Sequence, residues 1–365
     1  MVKYGVFKIA CAVILLNCFL GAVSNRVIAS ENCFIIVADG SEYRYYYPQI
    51  NYTLQDGAVF LGLDEEVEKI VADKSFAPIN ASLTFNPENQ QPFTFIEGKL
   101  GRELDAKALK AKVEYALQAG VNKVVVNGVW KKPNISVSDL KKQTFLRAQF
   151  QTSYEFSIAE RKSNIALAVR FISGKTLLPG EEFSFNQTVG LRVEERGFLP
   201  AKIIQEGKFT DGVGGGVCQV STTLYNCALL AGLKISEINK HSLQVNYAPP
   251  SFDAMVSDFF SDLKFINDGN SPVYIAGVAD GKTLTFKIYG EQLDCRYECL
   301  SQIIEIIPAQ TVTKKKILGN EVDVVKKDGV KSEGYLNVYK NGELIESRKI
   351  RSDIYNPVEG VIYVD

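Results

Sequence analysis

The residues able to do chemistry cluster late in the chain. Cys218 follows three consecutive glycines, Gly214-Gly215-Gly216, and His241, the single histidine of the sequence, comes after it. Asp253, Asp258 and Asp262 follow in turn. Consecutive glycines free the backbone for close approach and for positive φ. Beyond them Leu224, Ala228 and Ala231 recur at helical spacing, with Gly232 as a stop. That pattern places Cys218 at or near a helix N-terminus, where unpaired amides and the helix dipole favour a thiolate. The same amides, near Val217–Gln219, would hold an oxyanion. The constellation points to acyl transfer, with Cys218 as nucleophile and His241 as base and then acid. Asp253 or Asp262 would orient the ring, with Asp258 a further candidate.

Each residue also has a plainer reading. A free cysteine is commonly a small buried apolar group, and a glycine run is commonly a tight strand-to-helix connection. Gln219, Ser221, Thr222 and Thr223 either line a pocket or cap backbone amides within the first helical turn. If the site binds without catalysing, its ligand set is Gly214, Gly215, Gly216, Gln219, Ser221 and Thr222. The helix start would then take a carboxylate. Cys227, beside Ala228 and Leu229, reads as core. No metal and no cofactor is expected, because one histidine excludes multi-histidine zinc chemistry and Cys218 with Cys227 lacks further ligands. The glycines precede Val-Cys-Gln and not Lys-Ser/Thr, so they do not form a phosphate-binding loop. A G-x-S-x-G elbow is absent. Glu181-Glu182 reads as a turn into a strand, with the adjacent carboxylates on opposite faces, and not as a glycosidase pair.

The stretch as a whole resembles the VanW family. The matching residues run in order: Asn164-Ile165; Pro179-Gly180-Glu181 with Phe183-Ser184-Phe185-Asn186; Gly197-Phe198 with Ala201; then Gly214 through Asn226, with its Gly-Gly-Gly-Val-Cys-Gln core. His241-Ser242, Tyr247, Pro249, Asp253-Ala254 and Asp262-Leu263-Lys264-Phe265 close it. The family usually carries Arg shortly before its histidine. Here Glu237-Ile238-Asn239-Lys240 stands there, leaving Lys240 as the basic candidate. A glycine commonly precedes the aspartate matching Asp253; here it is Ser251-Phe252. The resemblance implies a Gram-positive envelope protein of the kind found among accessory proteins of glycopeptide-resistance clusters, and brings no settled activity. The order of cysteine at a helix start, then histidine on the next strand, is also that of transglutaminase-like and papain-like folds.

The elements that must position these residues read as an α+β, multi-module chain. Lys3 and Lys8, the apolar run Ile9 to Leu20 and the small residues Ala22-Val23-Ser24 and Val27-Ile28-Ala29 read as a signal peptide over 1–30. An uncleaved N-terminal anchor is the alternative. Residues 33–75 alternate aromatic and polar around Tyr43–Tyr47, with an acidic helical stretch near Asp64–Ala72. Residues 76–130 read as strand, strand, helix, strand: Ala81–Phe85, Phe93–Ile96, a helix from N-cap Asp105 through Gln118 stopped by Gly120, and Lys123–Val126. That unit resembles a small peptidoglycan-binding domain. Residues 131–147 read as a polar linker and 148–292 as the VanW-like domain, with Asn239–Val245 a strand. Residues 303–365 read as a β-rich module whose Asn341-Gly342 turn joins two strands, with Thr311–Thr313 and Val322–Val324 extending the sheet.

Composition bounds the function classes. The 365 residues are 46% hydrophobic and 23% charged, enough for folded modules with real cores. With 41 basic against 42 acidic residues, no surplus exists to neutralise phosphates, so nucleic acid is not an expected partner. The expected partner is peptidoglycan or another wall polymer, with membrane contact only through an uncleaved N-terminus. Five cysteines outside the leader are an odd number and exclude a disulfide-dense scaffold. Cys295 and Cys299 are the pair near enough in sequence to bridge. The sequence is thus read as an exported wall-binding protein, with a cysteine acyl-transfer enzyme on wall peptides as the alternative.

Overall fold

A computed structural model describes residues 33–46, 50–53, 57–205, 208–316 and 322–364. The expected signal peptide over 1–30 lies outside them. Among the described residues no helix is long and apolar enough to cross a membrane. The architecture is α+β with more strand than helix. The chain divides into two compact units, one from residues through Ile79 with Leu100–Lys132, the other from Asn80–Lys99 with Pro133–Asp365.

In the first unit Cys33–Ala38 pairs antiparallel with Ser41–Tyr46 and parallel with Lys123–Val126. The helices Leu63–Lys74 and Ala106–Gln118 pack together, and Phe34, Ile36, Ile70, Leu109 and Val113 make the core. The second helix starts and stops where its sequence dictates. The Asp105 carboxylate accepts from the Lys107 and Ala108 amides at 2.8 and 3.0 Å, and Gly120 follows at positive φ. The hairpin Ser82–Phe85/Phe93–Ile96, read from sequence together with that helix, belongs to the other unit. There its Phe85 and Phe93 rings meet Tyr274 at 5.2 and 5.0 Å.

The second unit is built on a four-stranded antiparallel sheet. Its order is Phe145–Ser153, Thr283–Gly290, Val273–Ala279, Thr176–Leu177. Its first strand begins inside the expected linker, which also holds the short helix Val137–Lys141, capped reciprocally by Ser136 and Asp139. Two helices, Ala159–Ile172 and Val217–Leu230, pack against this sheet and each other through Ile165, Ala168, Ile172, Val220, Leu224 and Ala228. The second of these is buried on nearly every side: of its fourteen residues only Cys218 and Leu230 keep appreciable exposure. A helix buried all round must satisfy its polar side chains internally.

The C-terminal strands belong to this same unit. Arg296–Ile307, Gly329–Lys340 and Glu343–Tyr355 form a three-stranded sheet, and the last two strands turn at Asn341-Gly342 as expected. Thr311–Lys315 pairs parallel with Gly360–Val364. Leu336 joins the main core, and Tyr297 and Cys299 pack against it.

Three local expectations need correction. Val322–Val324 forms no strand; Val324 makes one isolated bridge to Val361. Asn239–Val245 is irregular and not a strand, because side-chain and loop bonds replace the ladder: the His241 amide donates to Asp253, and the Met255 amide to Asn239. Cys295 and Cys299 are not bridged. They lie at the start of an extended strand, where four residues span about 13 Å, well beyond disulfide reach.

Candidate active site

The hairpin Pro200–Gln205/Lys208–Val213 delivers the chain to Gly214-Gly215-Gly216, which turns it into the helix Val217–Leu230. Gly214 and Gly216 both have positive φ. Gly215 answers a different need: a Cβ there would lie 2.7 Å from the Ala201 carbonyl carbon and 2.8 Å from the Lys202 oxygen. Asn164 pins the turn from the other side. Its amide nitrogen donates to the Gly215 and Leu199 carbonyls and its oxygen accepts from the Leu199 amide. Gly215→Ala is therefore expected to destabilise the protein by about 1–3 kcal/mol and to displace Cys218. Urea unfolding with thiol labelling measures both, and an alanine variant as stable as wild type would contradict the close approach.

Cys218 stands in the first turn of the helix, half-buried, at the wall of a cleft of about 740 Å³. His241 acts on its thiol at hydrogen-bonding range, and the thiol lies 3.4 Å from the Val256 carbonyl oxygen. The other face of the ring is held by Asp253: His241 Nδ1 lies 2.7 Å from Asp253 Oδ2, which also accepts the His241 amide at 2.7 Å. Asp253 is supported in turn by the C-terminal sheet. Tyr355 donates its hydroxyl to Oδ1, and Arg351 lies 3.5 Å from that same oxygen while donating to the Asp253 carbonyl. The Tyr355 hydroxyl also accepts the Ser251 amide at 2.8 Å.

The electrostatics follow from this chain of contacts. Burial alone would raise the Cys218 thiol, but the hydrogen bond and charge of His241, the Val256 contact and Arg192 together hold it below its ordinary value. Burial would depress His241, yet Asp253 and the thiolate raise it to about 9. Asp253 is desolvated but held low by His241, Arg351 and Tyr355. The resting state these contacts favour is thiolate, imidazolium and carboxylate in line.

The other expected site residues are placed differently. Asp262 does not reach the ring: it accepts Ser184 Oγ at 2.5 Å, the Asn186 amide at 2.9 Å and the Leu263 amide at 2.8 Å, and so anchors the neighbouring turn. Asp258 faces the cleft but is paired with Arg192 at 2.6 Å. Ser221 and Thr222, expected at a ligand, are fully buried; Ser221 donates to the Ala254 carbonyl at 2.6 Å and Thr222 accepts the Ala254 amide at 2.9 Å. Gln219 borders the cleft, but its amide is spent on Thr152 and Ser153 and its carbonyl on Arg161. Of the glycines, Gly214 and Gly216 line the cleft and Gly215 is buried in the strand contact. Lys240 turns away from the ring and donates to the Ile354 carbonyl at 2.7 Å. The cation beside Asp253 is Arg351, far along the chain.

Sequence reasoning missed Arg161, Arg192, Arg351 and Tyr355. Arg192 and Arg161 rest directly on the glycine turn, since a Cβ on Gly214 would meet Arg192 Cβ at 2.9 Å and one on Gly216 would meet Arg161 Cγ at 2.9 Å. The signal for Arg161 was the apolar helix Ala159–Ile172 with an arginine in its first turn; for Arg192, Arg351 and Tyr355 no local pattern exists. Among the described residues no cluster of histidine, cysteine or carboxylates could hold a metal ion.

Comparison with known proteins bears on this same region. The family model described as VanW like protein matches residues 160–289. "Uncharacterized protein YoaR" of Bacillus subtilis (strain 168) is 34% identical over 218 residues, covering 59% of this chain and 70% of that protein. "Vancomycin B-type resistance protein VanW" of Enterococcus faecalis is 27% identical over 147 residues, covering 39% of this chain and 54% of its own length. No solved structure gives a significant match.

Proposed function

Given that this chain belongs to the VanW family, we propose that it is an exported cysteine acyl-transfer enzyme acting on the peptides of the cell wall. The observation that carries this reading is the line Cys218–His241–Asp253 opening on a cleft. A core cysteine needs neither a histidine nor a buried carboxylate behind it; Cys227, on the same helix but turned into the core with its thiol pushed up by burial, is what an inert one looks like.

The residues assign the steps. The Cys218 thiolate attacks an amide carbonyl carbon. The Val217 and Gln219 amides already donate to the Gly214 and Gly216 carbonyls. The Cys218 amide makes no such backbone bond among the described residues, and it is the donor available to the oxyanion. His241 protonates the departing amine as the carbon–nitrogen bond breaks, leaving a thioester. Water or an acceptor amine then attacks, giving its proton to His241 and restoring the thiolate. Asp253 touches no substrate and acts as a positioning residue, fixing the ring and balancing its charge.

Export is supported by the basic and apolar leader read over residues 1–30, and wall peptides by the glycopeptide-resistance name of one relative. The test is incubation of purified protein with muropeptides, read by mass spectrometry. Wild type is expected to hydrolyse or exchange an amide, and Cys218→Ser to lose at least about a thousandfold in turnover. Muropeptide binding that survives Cys218→Ser with no turnover in either protein would instead make the chain a wall-binding module.

A further inference from the structure

Among the described residues the cleft holds one cation that pairs with no carboxylate; the anion of the site that acts on it is the Cys218 thiolate itself. The cleft's other charged groups are accounted for. Arg192 pairs with Asp258 at 2.6 Å, Lys202 with Asp211 at 3.0 Å, Glu155 with Lys282 at 3.3 Å, and His241 with Asp253 at 2.7 Å. Arg161 meets no carboxylate among the described residues. One of its terminal nitrogens donates to Ser157 Oγ and the other to Gln219 Oε1, each at 2.7 Å. Both partners are neutral, so they aim the guanidinium without balancing it. Of its five N–H groups, three remain to donate. The side chain is not idle surface charge: it lies against Gly216, where any Cβ would collide with it, and it borders the cleft together with Cys218. Gln219 is itself locked by Thr152 and Ser153, so Arg161 is held by two layers of hydrogen bonds.

A half-buried guanidinium that is aimed by neutral partners and meets no carboxylate is built for an anion, and its planar fork fits a carboxylate best. We infer that Arg161 binds the free α-carboxylate of the residue that leaves, so that the substrate is a peptide cut at its C-terminal residue. This rests on the acyl-transfer reading and sharpens it. In a C-terminal amino acid the carboxylate sits just beyond the scissile nitrogen, so a cation in the same cleft as the thiolate can hold it. The thiolate forms the thioester to the penultimate residue, and the bond to the last residue breaks. That residue departs as a free amino acid, its amine protonated by His241 and its carboxylate on Arg161. Internal peptide bonds, which offer no such carboxylate, are poor substrates.

Two probes test this on the full chain. The first is protection of Cys218 from iodoacetamide by an acetyl-dipeptide with a free C-terminus against the same peptide as its C-terminal amide. The free acid is expected to protect at roughly ten- to a hundredfold lower concentration. The second is the ratio of iodoacetate to iodoacetamide alkylation rates in wild type, Arg161→Gln and Arg161→Lys. The ratio is expected to fall about tenfold or more in the glutamine variant and to recover partly in the lysine variant. Equal protection by acid and amide, or a ratio indifferent to Arg161→Gln, overturns the inference. If Arg161→Gln does not fold, the peptide pair on wild type and the lysine variant decide it. Slow alkylation of wild type by both reagents means that the acyl-transfer reading has failed. The carboxylate site is then judged separately by calorimetric binding of the two peptides, where equal affinities overturn it.

Discussion

At pH 6, iodoacetamide modifies Cys218 far faster than it modifies an ordinary protein thiol, and His241→Ala removes most of that advantage. This is the expected result, and its sign follows from the contacts. The Cys218 thiol is held below its ordinary value by His241, against the opposing effect of burial, so the thiolate persists as pH falls until that depressed value is reached. The His241 imidazolium persists as pH rises until about 9. Between these limits the ion pair dominates. An ordinary thiol is only about 0.3% ionised at pH 6. Holding the thiol down raises the ionised fraction of Cys218 above that figure, and the weaker nucleophilicity of a stabilised thiolate gives back only part of the gain. Removing the imidazole leaves the burial penalty unopposed except by Val256 and Arg192, and the rate returns to the rising profile of a neutral thiol. Asp253→Asn acts in the same direction through the ring: without the carboxylate, His241 titrates lower and supports less thiolate. On the proposed acyl-transfer reading, turnover is expected to follow a bell, with its acid limb set by the thiol and its basic limb near 9. The two limbs belong to the coupled pair and not to either residue alone. A flat dependence on His241, with slow labelling below pH 7, would make Cys218 a structural cysteine.

What the sequence disclosed and what it hid divide along a physical line. The helix Ala106–Gln118 was legible because its cap, apolar spacing and stop are all local. The helix start at Cys218 was legible for the same reason, since only glycine supplies the positive φ and close approach that the turn needs. The C-terminal hairpin turned at Asn341-Gly342 as its dipeptide requires. His241 was identifiable by type, but its setting was not: a run that alternates like a strand is drawn into a loop by one buried carboxylate accepting both its amide and its ring. The choice between Asp253 and Asp262 was equally hidden, because both are buried aspartates after the histidine. Only the partners of Asp262, Ser184 and the Asn186 and Leu263 amides, reveal it as an anchor. The polar residues of the cysteine helix misled for a related reason. Ser221 and Thr222 are polar because the segment Phe252–Ala254 lies against them and must be hydrogen-bonded, not because a ligand does. The residues with no signal at all, Arg351 and Tyr355, act across about a hundred residues of chain.

Those two residues carry the other large effect. Arg351→Leu is expected to destabilise the protein by about 3–5 kcal/mol, the range for breaking a buried ion pair by removing one member. Asp253 and Arg351 are both almost wholly buried, and Arg351 also pairs with Asp353 at 3.0 Å, so its loss leaves two carboxylates short of a cation. Leucine fills much of the vacated space, which makes the missing charge and not a cavity the main cause. The pH dependence separates the two. Asp253 is held below the ordinary aspartate range by His241, Arg351 and Tyr355 against its burial. Its stabilising contribution is therefore complete above that range and lost as pH falls through the depressed value. The gap between wild type and Arg351→Leu is thus full at neutrality and narrows only as the pH falls below about 4, whereas a packing defect would cost the same on both sides. Tyr355→Phe removes a single donor to the charged acceptor and is expected to cost less, about 1–3 kcal/mol. Urea unfolding at several pH values measures all three proteins. A variant at position 351 within about 1 kcal/mol of wild type at pH 7 would mean that the sheet only borders the site. The expected loss instead makes the C-terminal strands part of the active centre: they hold the aspartate that holds the histidine, and a chain cut before them would keep its cysteine and lose the charge relationship that activates it.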